Sequence, residues 1–225
     1  MLKRKKSNLI RILAVETATE ACSAAFIDGD NCVEKYLVAP RQHTAIILPM
    51  IDELLQENNT ALENIDCIAF GAGPGSFIGV RVAASLAQGL AFGAQISVIP
   101  VSSLQALAQA AFYKHHLIAV AAIIDARMQQ CYYGVFKLDA NNIMQLQGVE
   151  VVADPDIIQK HLNSNHKGIA TVGSGAVAYF DSKFALFPDA KSVATIAQNK
   201  YQNNKNAAVA PELALPSYIR NKVTS

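Results

Sequence analysis

Charge is scarce in this sequence: 16% of its 225 residues are charged, and 19 basic against 18 acidic side chains leave a formal net charge of +1. No long-range field therefore attracts nucleic acid, and the one basic run, Lys3, Arg4, Lys5 and Lys6, reads as a solvated tail. Cysteine is sparse as well. Cys22, Cys32, Cys67 and Cys131 form no C-x-x-C pair, and three of them fall in strand-like runs, which reads as free buried thiols rather than a zinc site or a disulfide framework. A signal peptide is not expected, because residues 9–15 are too short and interrupted an apolar run and no cleavage site precedes Glu16; the chain is read as cytoplasmic. A membrane span at 77–99 is excluded by Arg81, Gln88 and Gln95 within it. Apolar residues, by contrast, make up 52% of the chain, enough for a sizeable core in one large domain or two small ones.

The order of elements repeats. IRILAVETA, ACSAAFIDGD and NCVEKYLVA read as three strands in a meander, with Asp28-Gly29-Asp30 as a hairpin signal. A helix at 44–58, a strand at 65–71, a helix at 77–92, a strand at 95–101 and a helix from 102 or 103 to 113 follow. LIAVAAIIDA, QQCYYGVFKLD and IMQLQGVEVVA then read as strands again, before a helix capped by Asp154 with Pro155 at its first position. GIATVGSG reads as a strand, with helices at 175–183 and 191–201. Val15-Glu16 and Ile124-Asp125 each end a strand with an acid, and Cys22 and Cys131 each fall six residues later. This predicts two related α/β lobes with a cleft between them, divided between 102 and 116.

GAGPGSFIGVR at 71–81 is the most pronounced local motif. It fails the P-loop pattern, because Arg81 follows the last glycine; it fails G-x-G-x-x-G at Ile78 and the nucleophile elbow at Pro74. Two readings remain. The chain turns through Gly73-Pro74-Gly75 into a helix whose free N–H groups can hold an anion, or Ser76 simply caps that helix and the glycines permit a tight turn. Along the helix Gly79, Ala83, Ala87 and Ala91 form a small-residue ridge, and Arg81, Ser85 and Gln88 a narrow polar stripe. The preceding helix is apolar around most of its circumference, through Ile46, Ile47, Leu48, Met50, Ile51, Leu54 and Leu55. A helix of this kind left on the outside marks a protein interface.

Five motifs resemble the bacterial TsaB (YeaZ) family of tRNA threonylcarbamoyladenosine biosynthesis: ILAVETATEACSAAF, HTAIILPMI, GAGPGSFIGVRVA, IDARMQQCYYGVF and PSYIRNKV. They span nearly the whole chain in the family's order. Glu16 stands where the family usually has aspartate, and Ile78 where it usually has threonine. The resemblance implies two duplicated actin-like/ASKHA (ribonuclease H-like) lobes of mixed sheets flanked by helices. The lobes are expected at 1–103, carrying the partner-binding helices, and at 104–225, with the C-terminal segment packing back on the first. In the paralogue TsaD, a motif similar to H-H-x-E-G-H carries metal; here Ser102, Ser103, Leu104, Gln105, Ala106 and Leu107 occupy those positions, so no metal or other cofactor is expected. His43, His115, His116, His161 and His166 show no ligand spacing that restores one.

The resemblance further implies a non-catalytic subunit, with no catalytic residue, that supports threonylcarbamoyl transfer to adenosine 37 of tRNA by a TsaD-like partner alongside a TsaE-like ATPase. By the same resemblance the chain is expected to form a homodimer when alone, and to meet tRNA only through the complex and no membrane. Ile47, Met50, Ile51, Leu54, Val80, Ala83, Ala84, Ala87 and Ala91 are the expected partner and dimer interface, and Gly73, Gly75, Ser76 and Gly79 a vestigial phosphate loop. The alternatives are an autonomous ATP-dependent kinase of the same superfamily, with Glu16 and Asp125 positioning magnesium, or an M22-like peptidase.

Overall fold

The computed structural model describes residues 10–219; the basic run at 3–6 and the end of the PSYIRNKV motif lie outside the described residues. Strands β1 (Arg11–Glu16), β2 (Ala21–Asp28) and β3 (Asn31–Val38) form the expected antiparallel meander. Gly29 takes φ 67 in the turn that pairs Asp28 with Asn31. The chain continues through α1 (His43–Glu57), β4 (Cys67–Gly71), α2 (Phe77–Ala94) and β5 (Ser97–Val101). β4 pairs parallel with β1 and β5 parallel with β4, so the first sheet has the order β3-β2-β1-β4-β5.

Both faces of this sheet are covered, which is why β1 and β4 read as unbroken apolar runs. Alternate residues serve opposite layers. Leu13, Val15, Ile68 and Phe70 share a core with α1 and α2, whereas Ile12, Ala14, Cys67 and Ala69 share one with α6 (Ala190–Asn203). Each large side chain buried in this way contributes about 1.5–3 kcal/mol.

After α3 (Ser103–His115) come β6 (Ala119–Arg127), β7 (Gln130–Leu138), β8 (Met144–Leu146), β9 (Val151–Ala153), α4 (Pro155–Asn165), β10 (Ala170–Val172) and α5 (Ser174–Tyr179). The second sheet has the order β10-β6-β7-β8, with β9 also paired to β7. Its antiparallel β6–β7 and parallel β6–β10 pairs repeat β1–β2 and β1–β4, so the fold is a duplicated α/β architecture of two mixed sheets flanked by helices. α3 covers one face of the second sheet through Leu104, Leu107, Ala108 and Ala111, and α4 and α5 cover the other through Ile158, Leu162 and Ala176. α6 packs on the first sheet and against α3, which seats these two helices between the lobes.

Three local expectations are corrected. The strand expected over 143–153 is two short strands, because Gly148 at φ 97 breaks the pleat between them. The helix expected at 175–183 ends at Tyr179, ahead of Asp181 at φ 52. Asp154 precedes α4, but its side chain makes no cap; it accepts a hydrogen bond from Gln130 Nε2 at 3.2 Å instead.

The small-residue ridge of α2 faces inward. Gly79, Ala83, Ala87 and Ala91 are buried within the chain's own fold, and the three alanines belong to the core beneath α2. Small side chains there let the helix axis approach the sheet closely. The polar stripe is the outward side: Arg81 and Ser85 are exposed and Gln88 is half-buried. Ala87→Arg should therefore leave the chain unfolded by circular dichroism, since burying an unpaired charge costs several kcal/mol against a total stability of about 5–15 kcal/mol. Ser85→Arg, on the exposed side, should change stability by no more than about 0.5 kcal/mol. A cooperative melt of Ala87→Arg at the parent temperature would overturn this assignment.

Candidate functional site

A cleft of ≈ 1010 Å³ opens between the lobes. Its walls are the β1–β2 turn (Ala18, Thr19, Glu20), the segment leading into α1 (Pro40, Arg41, His43, Thr44) and the glycine stretch 74–80. The β6–β7 turn (125–128), Ser174 and residues 217–219 complete them. The carboxylates that the sequence places at the two strand ends have different fates.

Glu16 is fully buried beneath the cleft and absent from its lining. Its Oε1 accepts from the Ala18 N–H at 2.6 Å and its Oε2 from the Ser103 hydroxyl at 2.8 Å. The carboxyl lies against Gly71, where a Cβ would overlap it. Burial pushes its pKa from 4.5 up to about 7, and the hydrogen bonds from Ala18 and Ser103 only partly oppose that. Asp125 is half-exposed at the rim. Its Oδ1 accepts from the Arg127 N–H at 2.8 Å, and its Oδ2 pairs with Arg127 Nη1 at 3.0 Å. Arg127 Nη2 reaches across the cleft to Glu20 Oε1 at 3.5 Å. Arg127, Met128 and Gln129 all have left-handed backbone, with φ of 63, 53 and 59. Each costs roughly 1–2 kcal/mol relative to right-handed backbone, so the β6–β7 turn is held in shape by its surroundings.

The glycine stretch is occupied by internal contacts. Ser76 N–H donates to the Ala18 carbonyl at 2.7 Å, the Thr17 hydroxyl donates to the Gly79 carbonyl at 2.7 Å, and Ser103 N–H donates to the Gly73 carbonyl at 2.8 Å. Side chains at Gly75 and Gly79 would overlap the carbonyls of Ala18 and Thr17. Close backbone approach to the β1–β2 turn thus explains both glycines. Ser76 caps α2, accepting from Gly79 N–H at 3.4 Å. Of the two readings of this stretch, the structure supplies the geometry of the cap and turn.

Around α3, Ser102 caps the helix by accepting from Gln105 N–H at 3.2 Å and donates its own hydroxyl to Glu150, while Ser103 serves Glu16. His43 Nε2 lies 3.2 Å from the Ala21 carbonyl, and His115 packs on Phe184 at 4.9 Å between ring centroids. Among the described residues no three His, Cys, Asp or Glu side chains gather as a metal site.

Most of the expected interface residues are buried within the chain's own fold. Ile47, Ile51 and Leu54 of α1 are buried against the sheet and Met50 is half-buried; Val80, Ala83, Ala84, Ala87 and Ala91 of α2 are buried. What α1 and α2 present outward is largely a different set: Leu48, Phe77 and Ile78 are 52%, 61% and 69% exposed, and with Thr44, Arg81, Val82, Ser85 and Leu86, and with the buried Ile47 at its floor, they line a groove of ≈ 470 Å³. Arg81 lies over the Phe77 ring at 3.5 Å and donates from Nε to Tyr218 Oη at 3.1 Å. The polar stripe of α2 signalled this orientation in the sequence.

The family model described as "TsaD: tRNA N6-adenosine threonylcarbamoyltransferase" matches residues 37–158. The tRNA threonylcarbamoyladenosine biosynthesis protein TsaB of Escherichia coli (strain K12) is 38% identical over 224 residues, covering 95% of this chain and 96% of that protein. TsaB of Haemophilus influenzae is 40% identical over 228 residues, covering 96% and 95%. A Pseudomonas aeruginosa crystal structure, described as an uncharacterized protein with similarity to peptidase YEAZ, superposes with a TM-score of 0.85 at 37% identity, covering 94% of this chain and 100% of that one. YeaZ from Pseudomonas aeruginosa superposes at 0.84 with 36% identity, covering 93% and 99%.

The buried carboxyl of Glu16 carries a pH signature. Its folded pKa is raised, so its contribution is intact below about pH 4.5 and is lost as pH rises through about 7, on the order of 3 kcal/mol in all. Glu16→Gln keeps the shape and should raise stability at pH 8 while flattening this loss in urea titrations between pH 5 and 8. Glu34, also raised to about 7 by burial, retains a residual slope of the same sign. An unchanged pH profile in Glu16→Gln would show that the carboxyl is not desolvated.

Proposed function

The chain belongs to the TsaB family of tRNA threonylcarbamoyladenosine biosynthesis proteins, and from this premise we propose that it is the non-catalytic subunit that binds and supports a TsaD-like transferase, together with a TsaE-like ATPase. The observation that carries this reading is the apolar outer face of α1 and α2, with Leu48, Phe77 and Ile78 around one groove. Exposed large apolar side chains gathered on one surface mark a protein partner. In the absence of the transferase the same face pairs two copies of the chain. tRNA is met through the assembled complex, and the setting is cytoplasmic. The lobe division lies at 103/104, with α6 returned to the first sheet.

The cleft supports a non-catalytic role. A kinase of this architecture would use acids at both strand ends to position magnesium. Here Glu16 is sealed in the core and Asp125 is engaged by Arg127, while the loop that would hold phosphate is packed on Thr17 and Ala18. A metallopeptidase needs a ligand set, and the positions at the start of α3 hold two serines engaged in structural hydrogen bonds.

Ile78→Arg, on the exposed face, should leave folding unchanged while weakening binding to the TsaD-like partner at least about thirtyfold, the loss of a contact worth 2 kcal/mol. In a reconstituted reaction with tRNA, threonylcarbamoyl transfer should fall in parallel, whereas Asp125→Asn should retain it. Calorimetry on the purified pair decides. Undiminished binding by Ile78→Arg, or transfer by this chain without its partner, would overturn the proposal.

A further inference from the structure

Away from the cleft and from the α1–α2 face, two histidines five residues apart, without an i, i+4 ligand spacing, come together. His161 stands one turn before the last residue of α4, and His166 is the residue that ends the helix. Their ring centroids are 5.3 Å apart with planes at 59°. Two imidazoles bound side by side to one ion, with metal–nitrogen bonds of about 2.0–2.1 Å, place their centroids roughly 5 Å apart. His161 is exposed and His166 half-buried, so both rings are reachable from solvent.

A third residue orients the pair. Tyr133 on β7 is buried, and its Oη lies 2.8 Å from His161 Nδ1, with the rings edge to face at 5.8 Å. When Nδ1–H is donated to the phenolic oxygen, the Nε2 lone pair is left free for a ligand. Metal-binding histidines are oriented in this way by a partner on the other ring nitrogen. The backbone of His166 is fixed as well: its N–H donates to the Leu162 carbonyl at 2.9 Å and its carbonyl accepts from Ile169 N–H at 3.0 Å.

We propose that His161 and His166 bind one borderline divalent transition-metal ion, of the Cu²⁺, Ni²⁺ or Zn²⁺ class, at the corner between α4 and β10. Imidazole nitrogen selects these ions over Mg²⁺ or Ca²⁺, which require oxygen ligands, and among the described residues no carboxylate joins the pair to form a three-ligand site. The remaining coordination positions are filled by water, which makes the site open and exchangeable. Bound metal joins His161 of α4 to the His166 that ends it, beside the existing Tyr133 contact to β7, so it stabilises the folded chain as its occupancy rises. Tyr133 is a positioning residue.

The test uses the full chain, stripped with chelator, titrated with Cu²⁺ or Zn²⁺ alone in a non-coordinating buffer. Calorimetry should give one ion per chain, Cu²⁺ binding more tightly than Zn²⁺, and the Cu²⁺ spectrum should carry hyperfine coupling from two imidazole nitrogens. His161→Asn and His166→Asn should each weaken binding at least about tenfold, and Tyr133→Phe about tenfold with unchanged stoichiometry. A His115→Asn/His116→Asn double variant should bind as the parent does. Parent-like binding by both His161→Asn and His166→Asn, loss of binding in the His115/His116 variant, or no binding by the parent chain at millimolar metal would each overturn the site. Should His161→Asn fail to fold, His166→Asn and the spectrum decide.

Discussion

A carboxylate without water around it fixes the centre of this molecule. Glu16 ends β1 between Gly71 of β4, the turn at Ala18 and the first residue of α3, and each of these answers it: one by having no side chain, one by an N–H, one by a hydroxyl. A buried carboxyl left without such partners would cost several kcal/mol. The three partners come from the meander, the central parallel strand and the helix that leads to the second lobe. Satisfying one side chain therefore sets where the first sheet ends, how closely the glycine stretch approaches it, and where the chain departs for the second sheet.

The parts of this arrangement that rest on local rules were legible in the sequence. The β-like runs of the meander, the Asp28-Gly29-Asp30 turn, Ser76 before an apolar helix and the repeated element order were all readable in the sequence. What was not legible depends on distance. Gly75 and Gly79 look like a ligand loop because glycine signals close approach without saying what approaches; the answer, the carbonyls of Ala18 and Thr17, lies some sixty residues away in the chain. The break at Gly148 and the early end of α5 are local instead, accompanied by left-handed backbone at Gly148 and Asp181.

The helices show the same ambiguity in a form that matters for function. A ridge of Gly79, Ala83, Ala87 and Ala91 permits close packing equally against a partner helix or against the chain's own sheet. Hydropathy does not choose, because both surfaces are apolar. Polarity does. Arg81 and Ser85 have no place in the core, so they fix the outward direction, and the residues beside them rather than opposite them become the exposed face. On α1 the exposed Leu48 shares its face with the exposed Thr44 and Asp52, four residues to either side.

The duplication also explains why the cleft differs on its two sides. In the second lobe Gly173 and Gly175 approach the end of β6 as Gly75 and Gly79 approach the end of β1, with a side chain at Gly173 meeting the Ile123 carbonyl and one at Gly175 the Asp125 N–H and Cys131. The same device follows, in each half, the strand that pairs parallel with β1 or β6. Its consequences diverge because the helices that follow do: α2 has 18 residues and a broad inner face, and it locks the first loop onto Thr17 and Ala18; α5 has 6 and leaves Asp125 half-exposed. Arg127 then links Asp125 to Glu20 across the opening. One side of the cleft is consumed by backbone contacts and the other by an ion pair, while Phe77 and Ile78 at the start of α2 stand between the cleft and the α1–α2 groove. A chain built this way has its unsatisfied surface on the outside of the first lobe, and that is where a partner gains most by binding.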